Sequence, residues 1–102
     1  MTIVHSLQQA RAAVAASADP VLLESPPAAT ASLGIGWWRE LLSAIAAEFP
    51  DRSITGVLDC GEFPGHALAA IAAGVRRVRL SAAPEVLEKV ADIARQAGAE
   101  LV

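Results

Sequence analysis

Residues 75–80 read VRRVRL, and the alternation of their side chains decides what kind of sheet the chain builds. Successive side chains of a strand point to opposite faces. Val78 and Leu80 therefore share one face, and Arg77 and Arg79 share the other. A central strand of a doubly wound parallel sheet is covered by helices on both faces and is apolar throughout. This strand alternates instead. It suits a sheet with helices on one face and a second, partly polar face, the geometry of a partial (β/α) barrel. AELV (99–102) places one charge, Glu100, in an otherwise apolar strand. VLLES (21–25) and GVLD (56–59) carry Glu24 and Asp59 near their ends.

Working outward, PGHALAAIAAG (64–74) reads as a helix. Pro64 suits its first turn, and Gly74 suits the C-terminal position that needs left-handed backbone. Pro84 opens a second helix, PEVLEKVADIARQAG, capped by Gly98. Its inward residues are expected to be Val86, Leu87, Val90, Ile93, Ala94 and Ala97. Glu85 and Lys89 form a favourable i, i+4 pair. Upstream, SITGVLD (53–59) is a strand. Trp38, Leu41, Leu42, Ile45 and Phe49 lie on one face of a helix that ends at Pro50-Asp51, with Trp37 beside that stripe. PPAATASLGIG (26–36) reads as a loop, and VLLES as a buried strand. Ser6 and Gln9 make a capping-box pattern before LQQARAAVAAS, which Asp19-Pro20 stops. TIVHS opens the chain as a weak strand.

Alternating strands and helices argue for a parallel sheet with right-handed crossovers. The similar endings AAGVRRVRL and QAGAELV are the mark of a repeating βα unit. The fold expected is α/β: parallel βα repeats with about five strands, half-TIM-barrel-like, with a flavodoxin-like open sheet as the alternative. Residues 1–102 are expected to form a single domain.

Composition narrows the function. Hydrophobic residues are 54% and charged residues 19%, enough for a core. Much of that apolar share is alanine, which buries little area per residue, so association with another chain would add stability. A net charge of −3 offers no basic field for nucleic acid. No segment is long and apolar enough for a membrane span, and no signal-peptide pattern opens the chain. The single cysteine forms no internal disulfide. A cytoplasmic protein without metal or cofactor is expected.

The stretch LDCGEFPGH (58–66) holds the densest set of reactive groups. Asp59 and Cys60 fall at the C-terminal end of a strand, where parallel α/β proteins place their chemistry. They are the catalytic candidates. The bland reading is that Asp59 accepts loop N–H bonds and Cys60 is a small buried residue. Glu62 and His66 read as structural. Arg77 and Arg79, if the open face is uncovered, are expected to meet Glu24, Asp59 or Glu100, within the chain or across a symmetric dimer. Arg77, Arg79, Glu24, Trp37 and Trp38 are the ligand or interface candidates.

LDCG (58–61) and AIAAGVRRVRL (70–80) make the chain resemble the early part of class II fructose-bisphosphate-type aldolases. The resemblance implies the first half of a TIM barrel and a zinc lyase. By position, Asp59 matches the family's catalytic carboxylate, and Cys60 stands where the family has a zinc-binding histidine. Thiolate also ligates zinc. The family's further metal histidines and Gly-rich phosphate loops have no counterpart, and neither His5 nor His66 matches a ligand. The departure implies that aldolase activity is not retained. The expected function is a non-catalytic interaction or regulatory domain, a homo-oligomer self-associating through the open sheet face and the Trp37/Trp38 region. The alternative is a small aldolase-like enzyme, or an anion- or metabolite-binding protein, using Asp59 and Cys60.

Overall fold

Capping and turn chemistry set the element boundaries. The structure, a computed structural model, describes residues 2–102. After a two-residue strand β1 (Thr2–Ile3), helix α1 (Leu7–Ala16) starts at Ser6, whose Oγ accepts the Gln9 N–H at 3.1 Å. The Gln9 side chain reaches back to the His5 N–H at 2.7 Å, so two N-terminal donors are satisfied. Strand β2 (Val21–Glu24) follows, then α2 (Ala29–Ser32), α3 (Ile35–Glu48) and β3 (Ile54–Asp59). Helix α4 (Pro64–Ala72), β4 (Arg77–Arg79), α5 (Pro84–Gln96) and β5 (Glu100–Leu101) complete the chain. Pro84 and Pro64 each occupy the first turn of their helix. Gly74 and Gly98 follow α4 and α5 at φ +92° and +74°, conformations that cost a glycine nothing.

The five strands form one parallel sheet in the order β1-β2-β3-β4-β5. Every crossover joins neighbours, so a common right hand puts every crossover helix on the same face. A flavodoxin-like sheet would have the order 2-1-3-4-5 and helices on both faces. The sheet is therefore singly wound, as the alternation in VRRVRL requires. Burial agrees. Val21, Leu23, Leu58 and Val78 join one core cluster with Val14, Trp38, Ile45, Ala70, Val90 and Ala94 of the helices. Val57 is also buried, at 3% exposure, yet it stands outside that cluster because it points to the other face.

Three local expectations are corrected. The stretch 26–36 is not wholly loop: it contains α2, preceded by Ala28 in the left-handed region at φ +52°. Its alanines favour a helical turn, and the Asp59 carboxylate holds the Ala28 N–H at 2.9 Å. In α5 the buried residues are Val90 and Ala94, whereas Ile93 is 44% exposed and Ala97 is exposed. This helix overlies the edge of the sheet, where β5 is only two residues long, and so its covered stripe is narrow. The ion pair formed on α5 is Arg95–Asp92 at 3.0 Å, not Glu85–Lys89.

Arg52 is a tie that spacing does not reveal. It pairs with Asp19 at 2.7 Å and donates to the Val14 carbonyl at 2.8 Å and to the Ser17 carbonyl. It thereby satisfies carbonyl groups at the end of α1 and links that end to the turn before β3. The Arg52 guanidinium holds the Asp19 carboxyl below its ordinary range. A second surface tie, Arg11 with Glu48, joins α1 to α3.

Candidate functional site

At the C-terminal ends of the strands the backbone itself uses the polar groups. Asp59 Oδ1 accepts the N–H of Gly61 at 2.8 Å and of Ala28 at 2.9 Å. Ser25 Oγ accepts the Asp59 N–H at 2.8 Å and donates to the Pro26 carbonyl at 3.1 Å. Asp59 thus sews the end of β3 to the loop after β2. Beside it, Thr30 of α2 meets His66 of α4 at 3.0 Å. The His66 ring also packs on Phe63 at a centroid distance of 4.7 Å.

Cys60 is fully buried in the core cluster. Burial, and then the Asp59 charge, push its thiol up to about 11, against a weaker opposite pull from a Thr30 hydrogen bond. A nucleophilic cysteine needs the reverse: a lowered pKa and access. Native Cys60 is accordingly expected to react with a disulfide reagent at neutral pH at least about 100-fold more slowly than in denaturant. Absorbance-monitored labelling with and without guanidinium checks this. Burst labelling of the native chain would contradict it. Among the described residues, no group of three His, Cys, Asp or Glu side chains stands where it could hold a metal ion.

The open face of the sheet is organised differently. Register sets Glu24 beside Val57 and Asp59 beside Arg79. Arg79 reaches across β3 and pairs with Glu24, which is buried at 4% exposure, while Arg77 pairs with Glu100 on β5 at 3.1 Å. Of the three acidic partners expected for the arginines, Glu24 and Glu100 are taken. Asp59 is not; its Oδ1 accepts the Gly61 and Ala28 N–H groups. Between the charges lies a groove of about 360 Å³ lined by Leu22, Thr55, Val57, Arg77, Arg79 and, at one end, Val102. No helix residue lines it.

The two tryptophans lie on the opposite, helix-covered side. Trp38 is 0% exposed and is the largest fully buried side chain. Trp37 is half-buried, with the two rings 5.8 Å apart and tilted by 37°. Trp38 is thus a core residue and offers no surface to a partner, a correction to its place among the interface candidates. The reason is the helical stripe itself, which turns Trp38, Leu41 and Ile45 inward together. The structure brings Arg77, Arg79 and Glu24 together on one face. It separates them from both tryptophans, and it leaves Asp59 and Cys60 at the end of β3. Ser25 and Thr30 escaped notice because nothing in their neighbourhood marks them; their partners are distant in sequence.

Comparison with family models, curated proteins and solved structures found no match to this chain.

Proposed function

We propose that this chain is a non-catalytic interaction domain that self-associates through the open face of its sheet. The observation behind the reading is a parallel sheet with helices on one face only. Parallel sheets are ordinarily covered on both faces, and here Leu22, Thr55 and Val57 of the second face line an open groove. A second copy suits that groove by charge. Glu24 lies on β2 and Arg77 and Arg79 lie on β4, on either side of β3. A two-fold axis parallel to β3 and midway between the facing sheets sets β2 of one copy against β4 of the other, as an isologous interface requires. The likeness of LDCG and AIAAGVRRVRL to an aldolase barrel fits the same picture, a βα arc whose inner face is completed by another chain. The resulting assembly is a homo-oligomer, with Arg77, Arg79 and Glu24 at its interface and Asp59 serving the fold.

Sedimentation equilibrium tests the reading. Wild type is expected to associate. Arg77→Glu, which places a like charge near Glu24 of the facing copy, is expected to weaken association at least about tenfold. Leu22→Gln, at a half-buried position in the groove, is a second probe that leaves the ion pairs in place. A wild type that stays monomeric at all concentrations would refute the reading, and so would association unchanged in both variants.

A further inference from the structure

We propose that the Arg79–Glu24 pair is a strap that covers the centre of the open face in the single chain and holds self-association in check. Val57 points to that face, and no helix residue lines the groove there, yet Val57 is only 3% exposed. Side chains of the neighbouring strands therefore cover it. Glu24 on β2 stands level with Val57, and Arg79 on β4 stands level with Asp59. Their ion pair spans β3 on a diagonal that passes between Val57 and Asp59. The stem of a long cationic side chain covers apolar surface in this way while its head seeks a charge.

A second observation concerns how well the strap fits. The Glu24 oxygen that Arg79 touches, Oε1, is buried and receives no aligned hydrogen bond among the described residues. Arg79 meets it as a charge. Buried acceptors are nearly always given a donor, so Glu24 gains by exchanging Arg79 for a better-placed one. The Arg79 side chain is 40% exposed and has solvent to swing into. Docking of a second copy supplies the donor. One residue before the Leu58–Val78 pair, Arg77 stands level with Val57, as Glu24 does. An axis parallel to β3 keeps each residue at its own height, so it sets Glu24 of one copy opposite Arg77 of the other. The Arg77–Glu100 pair is exposed and weak enough to share its cation. The strap and the second copy thus compete for Glu24 and for the surface of Val57, and the fraction of chains with the strap open scales the apparent affinity. This control presupposes self-association through the open face.

Two measurements on the full chain separate the strap from the association. In the first, a soluble gadolinium chelate reports which methyl groups solvent reaches, with the chain dilute enough to be monomeric. The Val57 methyls are expected to be shielded in wild type and to broaden several-fold more in Arg79→Ala, while those of Leu22, two residues before Glu24, change little. In the second, sedimentation equilibrium is expected to show Arg79→Ala associating at least about tenfold more tightly than wild type, as when about one chain in ten or fewer has an open strap. Arg79→Ala/Glu24→Gln leaves no unpaired buried charge and keeps an acceptor for Arg77. It takes the place of the single variant in both measurements if that variant does not fold. Val57 no more accessible in the variant than in wild type would overturn the proposal, whatever the oligomeric state. A Val57 laid bare with association no tighter than that of wild type would overturn it as well. A variant that associates beside a wild type that never does would support the strap while contradicting self-association of the native chain.

Discussion

Trp38→Ala is expected to destabilise the chain by about 4 kcal/mol, the range for emptying a buried aromatic site. A chain of 102 residues holds only about 5–15 kcal/mol in total, so this variant should be close to unfolded at 37 °C. The ring is fully buried and packs where α3 crosses β3. Much of the remaining core is alanine and valine, which cannot move in to fill the hole. The indole N–H has no acceptor among the described residues, so its loss removes no hydrogen bond seen there. Trp38→Phe is therefore expected to cost only about 1–2 kcal/mol. Gly56 is the other half of this contact. Adding a methyl group there drives Cβ into Leu42, whose terminal methyls can rotate away, and into the Trp38 ring, which has no room to yield. Gly56→Ala should cost about 1–3 kcal/mol by overpacking. In the Trp38→Phe background it should cost less, because the smaller ring has no atom at Cζ2. Denaturant melts of the four proteins in this cycle check the coupling. Additive losses would show that the two residues do not meet.

Arg79→Met should be the most damaging change on the open face, at about 2–3 kcal/mol. That lies below the usual 3–5 kcal/mol for splitting a buried pair, because Arg79 itself is partly exposed and solvent screens it. The loss falls on Glu24, which is left in a place that water barely reaches. Arg79→Met/Glu24→Leu removes both charges and is expected to recover most of the stability, since an apolar pair of similar volume is often as good as a buried ion pair. Thermal melts at a single protomer concentration make the comparison, because association would otherwise raise the apparent stability. A double variant no more stable than Arg79→Met would mean that the pair is not what the position needs. By contrast, Arg77 and Glu100 are both well exposed, and truncating either should cost well under about 1 kcal/mol.

What could be read from the chain was what is local. The alternation in VRRVRL has a period of two, and it favoured the singly wound sheet over the flavodoxin-like alternative because no distant residue changes which way a strand side chain points. The Trp38–Phe49 stripe and the glycines after α4 and α5 were equally legible, since helix phase and left-handed backbone are fixed within a few residues. Choice of partner was not legible. Arg79 had three carboxylates to choose from, and the register sets it beside Asp59, yet it reaches diagonally across β3 to Glu24 while Asp59 Oδ1 accepts backbone N–H groups. Arg52 and Ser25 were passed over because their roles exist only once separate turns meet. Cys60 could be either a nucleophile or a core atom on sequence grounds. Burial, which depends on everything packed around it, makes it a core atom.

The most direct test of the uncovered sheet face is an isotope-filtered NOE measurement on an equal mixture of labelled and unlabelled chains. Contacts between copies should arise from the methyl groups of Leu22 and Thr55 and from the Arg77 and Arg79 side chains, with none from α1, α3, α4 or α5. Contacts between copies confined to the helices, or none at concentrations where the chain sediments as a dimer, would contradict self-association through the open face.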